Sequence, residues 1–185
     1  MTTLSAPDTE KLSPAKEIGV DTAGVSLETQ RSVEQFLYRQ AEILDGRAWD
    51  DWLNLFTKDG IYWMPASPEQ TTGEGVPNIF YEDHYLMRTR AKRIEHPRAW
   101  SQHLTNRTSH VVSNAIVERE DPRTGDVVVR SKFFVAEYRL DAMRYFAGKY
   151  RHDLQKGDDG YRIRLQRVDL VNVEGPFEYV LQYWL

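Results

Sequence analysis

Helices first and a run of long alternating strands afterwards predict an α+β fold for this 185-residue chain. Three observations carry that prediction. Apolar residues recur at helical spacing between Leu27 and Phe56, and the period changes to two from Arg107 onward. The strand candidates are then joined by hairpin-length connections, so the sheet is largely antiparallel. A sheet of such length twists and curls, and helices at the N-terminal end can fill its concave face.

Ser26 is placed to cap the first helix, whose apolar residues are Leu27, Val33, Phe36, Leu37, Ala41 and Leu44, and Gly46 ends it. A shorter helix follows, with Trp49, Trp52, Leu53 and Phe56 at i, i+3, i+4 and i+7. Gly60 breaks that helix, a strand Ile61-Tyr62-Trp63-Met64 begins, and Pro65 stops it or marks a sheet edge. Residues 66–82 are rich in Gly, Pro, Thr and Ser and read as a long loop. A third helix starts after Asp83 and runs to about Ile94, burying Leu86, Met87, Ala91 and Ile94; His96 to Asn106 is irregular. Strands are expected at about 107–119, 126–140, 143–155 and 160–174. In the second of these Val127, Val129, Phe133 and Val135 face one way while Arg130 and Lys132 face the other.

Apolar content of 41% and aromatic content of 12% are enough for a packed core. Residues 1–25 read as a flexible N-terminal segment and 26–185 as a single α+β domain. The net charge of −4 gives no reason to expect nucleic acid as a partner. No apolar run approaches the ~18 residues of a membrane span, so a cytoplasmic protein without a membrane partner is expected. With no cysteine, the chain can form neither a disulfide nor a zinc–thiolate site, and it cannot hold a Rieske cluster, which takes two Cys and two His.

Four phrases resemble the small (beta) subunit of Rieske-type aromatic-ring-hydroxylating dioxygenases. The first falls on Phe36, Tyr38, Arg39, Ala41, Leu44, Asp45, Arg47, Trp49, Trp52, Leu53, Phe56, Asp59, Tyr62, Met64 and Pro65. The second is Arg107, Thr108, His110, Ser113 and Asn114; the third is Gly148, Tyr150, His152 and Leu154. The fourth runs Gly160-Tyr161, Ile163, then Arg167-Val168-Asp169-Leu170-Val171-Asn172. They stand in order over roughly residues 33 to 173. Gln40, where Glu is usual, and Asn106 and Ser109 beside the second phrase depart from the pattern, and the ending from Phe177 to Leu185 matches no particular substrate class.

The resemblance implies a cone-shaped fold similar to the nuclear-transport-factor-two superfamily. It implies a non-catalytic structural subunit in aromatic compound catabolism, self-associated as a trimer and holding three large (alpha) subunits in a hexamer. In that family the alpha subunit carries the Rieske iron–sulfur cluster and the mononuclear non-haem iron, and dihydroxylates an aromatic ring with molecular oxygen. No catalytic, cofactor-binding or metal-binding residue is then expected on this chain.

The residues themselves offer a rival. Cone-fold isomerases and dehydratases work with an Asp, Tyr or His inside the cone, and the candidates here are Asp59, Tyr62, Tyr85 and His110. The histidines His84, His96, His103, His110 and His152 show no His-x-x-x-His or Glu-x-x-His spacing that would suit an iron site. His110, next to Val111 and Val112, reads as a hydrogen-bonded strand residue, and His152, with Arg151 and Asp153, as a polar strand or interface residue. Arg88, Arg90, Lys92 and Arg93 read as the solvated face of an amphipathic helix, with docking of an acidic partner as the alternative. Asn106-Arg107-Thr108 has the glycosylation pattern, which a cytoplasmic chain would not use. Trp49 and Trp52 are expected in the core. Phe177, Tyr179, Tyr183 and Trp184 make a terminal segment expected to dock on its own sheet or on a neighbouring subunit.

Overall fold

Ser26 caps helix α1 (Leu27–Asp45), its Oγ accepting from the Thr29 amide at 2.9 Å. The structure, a computed structural model, describes residues 24–98, 106–177 and 181–185; the expectation for residues 1–25, apart from Gly24 and Val25, lies outside them, as do His103 and Tyr179. The buried face of α1 is Val33, Leu37, Gln40, Ala41 and Leu44, the stripe its spacing predicts with one polar member added. Gly46 closes the helix, yet the left-handed turn falls on the next residue, Arg47 (φ 55°).

Helix α2 (Trp49–Leu53) is one turn shorter than its spacing suggests, because Phe56 opens strand β1 (Phe56–Pro65) instead of completing the helix. Gly60 therefore lies within β1 and is no breaker. A Cβ there would come within 2.7 Å of the Ile163 carbonyl oxygen, so glycine lets two strands approach closely. Strand β2 (Asn78–Glu82) occupies part of the segment expected to be loop. Its alternation covers only five residues, too few to stand out against the glycines and prolines before it. Helix α3 (His84–Glu95) is capped by Asp83, and β3 (Arg107–Glu120), β4 (Val127–Arg139), β5 (Ala142–Gly157) and β6 (Gly160–Leu170) follow near their expected bounds. Strand β6 stops at Leu170, four residues short of the expected end.

The six strands form one sheet in the order β2-β1-β6-β5-β4-β3. Every pairing is antiparallel except β1 with β6. Helix α1 touches both β3 and β6, which lie three places apart in that order, so the sheet curls round the helix. The concave face holds the core, with Val33, Leu37, Trp52, Tyr62, Met64, Val129, Val135, Leu154 and Ile163 in one cluster. On the outer face Trp63 is also fully buried. The loop after β1 folds over it: Arg167 lays its guanidinium 4.4 Å from the Trp63 ring and donates to the Gln70 carbonyl at 2.8 Å.

Candidate functional site

Inside the curl, among the described residues, lie several buried polar groups whose hydrogen bonds tie distant parts of the chain together in knots. Asp45, the last residue of α1, accepts from Thr108 Oγ1 at 2.8 Å and from the His110 amide at 2.9 Å, and its Oδ1 lies 2.6 Å from His110 Nδ1. Burial by itself disfavours the Asp45 charge, but the hydrogen bonds from His110 and Thr108 outweigh it and hold the carboxyl below the usual carboxylate range. The His110 side chain is 1% exposed, and its Nε2 has no hydrogen-bond partner among the described residues.

A second knot closes the other end. Glu82 of β2 is ion-paired with Arg90 of α3, whose Nε donates to Oε1 at 2.7 Å, while Trp184 Nε1 donates to Oε2 at 3.0 Å. The Arg90 guanidinium also lies 4.3 Å over the Phe80 ring. Arg90 thus leaves the solvated face on which its sequence neighbours placed it. Arg88, Lys92 and Arg93 stay exposed, as expected. The physical reason is the buried carboxylate one strand away, which the sequence hides inside the supposed loop.

Between these knots runs a chain of neutral groups. Gln40 Nε2 donates to Gln166 Oε1 at 2.7 Å, and Gln166 Nε2 donates to the Leu185 carbonyl oxygen at 3.4 Å. Tyr62 Oη accepts from the Leu185 amide at 3.1 Å and donates to its carbonyl oxygen at 3.3 Å. Full burial pushes the Tyr62 phenol well up from its ordinary value, so it serves as a neutral hydrogen-bonding group. Residues 181–185 therefore dock into the chain's own core, with Leu181, Tyr183, Trp184 and Leu185 buried, while Phe177 stays 38% exposed.

His152 corrects its sequence reading. It is fully buried on the concave face, edge-on to Tyr150 at 5.6 Å, and neither ring nitrogen has a partner among the described residues. Burial pushes it down to about 3, so it is a neutral core residue and not a polar or interface one. A strand position flanked by Arg151 and Asp153 reads as polar in sequence, but those two neighbours face outward while His152 faces in.

The four acid–base candidates do not converge. Asp59 is exposed, in the stretch where β1 shifts register against β6. Tyr85 is 75% exposed on α3. Tyr62 is committed to Leu185, and His110 to Asp45. A pocket beside this network has room for about one water, near 10 Å³, and is lined by Arg47, Trp49, Ile94, Asn106 and Thr108 among others. Asn106, the glycosylation-pattern residue, is buried there. Glu82 and Gln166 are groups that sequence reasoning left without a role, while Asp45 carried a signal as part of the first family phrase, Gln40 as a departure from it, and Trp184 as part of the docking terminal segment.

Residues 39–174 match the family model described as the ring hydroxylating beta subunit. The beta subunit of benzene 1,2-dioxygenase from Pseudomonas putida is 32% identical over 152 residues, covering 76% of this chain and 81% of that protein. Among solved structures, the beta subunit of benzoate 1,2-dioxygenase from Burkholderia mallei superposes with a TM-score of 0.66 at 25% identity, covering 85% of this chain and 98% of the other. A structure of naphthalene 1,2-dioxygenase with indole bound in its active site gives a TM-score of 0.70 at 15% identity, covering 87% and 86%, a likeness of fold alone.

Proposed function

Because the chain belongs to the ring hydroxylating beta-subunit family, we propose that it acts as the non-catalytic structural subunit of an aromatic-ring dioxygenase in the cytoplasm. In this reading it forms a trimeric base that holds three alpha subunits in a hexamer and fixes their spacing, while the alpha partner supplies the Rieske cluster and the mononuclear iron. The observation that carries the reading is that the family match spans the curl from within α1 to beyond β6.

The donor set of this chain does not suit either iron centre. It has no cysteine for a Rieske cluster. Among the described residues no three of His, Asp or Glu gather to hold a metal ion. His110 and His152 stand on β3 and β5 with β4 between them, and the carboxylate beside His110 is spent on Thr108 and two donors of His110 itself. Among the described residues no helix is long and apolar enough to cross a membrane.

The Asp45–His110 pair favours one other reading, an acid–base isomerase or dehydratase working within the cone. Co-expression with the large subunit from the same source, followed by native mass measurement and iron analysis, separates the two. The structural reading expects a complex of alpha and beta chains with all iron on alpha, and a metal-free isolated beta chain without turnover. Turnover by the isolated chain that is lost in His110→Ala, with folding retained, would replace it with the acid–base reading.

A further inference from the structure

Asn106, a departure from the second family phrase, stands immediately before β3 and is only 5% exposed. Neither Nδ2 nor Oδ1 of its amide has a hydrogen-bond partner among the described residues. A buried amide without partners is costly, and native proteins rarely keep one. Asn106 also lines the pocket that lies between the α1–α2 corner, the end of α3 and the start of β3. That pocket has room for about one water.

The lining residues decide what such a pocket can hold. Leu44 and Ile94 are buried and apolar, and they offer an occupant contact alone. Asn106, Thr108 and Arg47 offer hydrogen bonds of different sense. Whichever way the Asn106 amide is turned, it presents a donor and an acceptor. Thr108 Oγ1 gives its single proton to Asp45 Oδ1 at 2.8 Å, which leaves its lone pairs to accept. Arg47 can only donate. Its guanidinium lies 6.0 Å from the Trp49 ring centroid and, among the described residues, has no ion-pair partner.

Donors and acceptors are thus mixed around a very small space. An anion would suit the Asn106 N–H and the guanidinium but would face the lone pairs of Asn106 Oδ1 and Thr108 Oγ1. A cation would meet the opposite conflict beside an arginine. A larger organic molecule exceeds the room. Water donates twice and accepts twice, so it matches the groups in number and in sense.

We propose that this pocket is a binding site for one ordered water molecule, held by the Asn106 amide, Thr108 Oγ1 and the Arg47 guanidinium. The water bonds the amide that the protein leaves unpaired and ties the start of β3 to the α1–α2 corner. It also lengthens the Asp45–His110 knot, as water to Thr108, Thr108 to Asp45, and Asp45 to His110. The site depends on this chain's own residues and on no partner, so it stands or falls apart from the subunit reading.

The test is a crystal structure of the full chain at atomic resolution, with bromide as the only halide in the crystals. Long-lived internal waters are counted beside it by magnetic relaxation dispersion in solution. Water density is expected within about 3.2 Å of the Asn106 amide and of Thr108 Oγ1 or the Arg47 guanidinium, without anomalous signal from bromide. Asn106→Leu, which removes both amide groups, is expected to hold about one long-lived water fewer than wild type. A dry pocket with the Asn106 amide bonded directly to protein groups overturns the proposal. A bromide peak overturns it as well, because the site would then take an anion. Equal water counts in wild type and folded Asn106→Leu count against it in the same way. If that variant does not fold, the wild-type crystal decides alone.

Discussion

The Trp184 indole lies flat on that of Trp52, with ring centroids 4.1 Å apart and planes 25° from parallel. Trp49 meets the same indole edge-on at 5.5 Å. Residues 132 positions apart in sequence thus share one aromatic stack, and the Trp184 N–H reaches Glu82 beyond it. Trp184→Ala should cost roughly 3–5 kcal/mol, the range for emptying a buried aromatic site. Trp184→Phe keeps much of the stack but strips Glu82 Oε2 of its donor, which should cost about 1–3 kcal/mol. Urea denaturation of the two variants checks the order; equal losses would mean that the aromatic stack contributes nothing beyond the hydrogen bond.

His152 makes stability depend on pH on the acid side of neutrality. Burial lowers it to about 3 from 6.5, so between those values the unfolded chain binds a proton that the folded chain refuses. Its contribution is full above about pH 6.5 and is lost as pH falls toward 3. From pH 7 to pH 5 that loss is about 2 kcal/mol. His152→Leu keeps the apolar surroundings filled and removes both unpaired nitrogens, so its unfolding midpoint should fall much less over the same interval. Parallel curves for wild type and variant would contradict the assignment.

Asp45 behaves as a depressed carboxylate. Its stabilisation is present above the ordinary carboxylate value near 4 and disappears as pH falls through the lower folded value. Asp45→Asn should be less stable at pH 7, on the order of 1–2 kcal/mol for weakened charge-assisted hydrogen bonds. The gap between variant and wild type should narrow once the pH falls below the ordinary carboxylate value near 4. Guanidinium titrations at both pH values give the answer, and a gap that widens in acid would refute the sign.

Gly148 is required by space and not by turn geometry. A Cβ there would lie 2.2 Å from the Asp169 carbonyl oxygen and 2.7 Å from the Phe133 ring, which is itself stacked on Tyr150 at 4.2 Å. Gly148→Ala should destabilise by at least 1–3 kcal/mol, since backbone as well as ring must move. Thermal unfolding measures it; a variant as stable as wild type would show that β5 and β6 can part without cost.

How much of this was legible beforehand differs from residue to residue. The stripe of α1 and the alternation of β4 were legible because burial on one face imposes a period, 3.6 in one case and two in the other. Strand β2 and the start of β1 were not, since Gly60 and the turn-rich residues before Asn78 obey close approach between strands and the covering of Trp63. Arg90 and His152 were misplaced for one shared reason. Arg90 shares its helix with the exposed Arg88, Lys92 and Arg93, and His152 is flanked by the charged Arg151 and Asp153, but a side chain's surroundings are set by what packs from elsewhere, here Glu82 for the first and the concave core for the second.

By itself the sequence determined the α+β class, the order of helices and strands, and the family phrases, all of which depend on residues near one another along the chain. Only the tertiary structure decided that α1 and β3 are tied through Asp45 and His110, and that Leu185 is held by Tyr62 and Gln166. It also decided that the buried Asn106 shares a pocket with Thr108 and Arg47. Those relationships arise when the sheet curls and brings distant positions into contact, and no local period encodes the distance between residues that meet only across a fold.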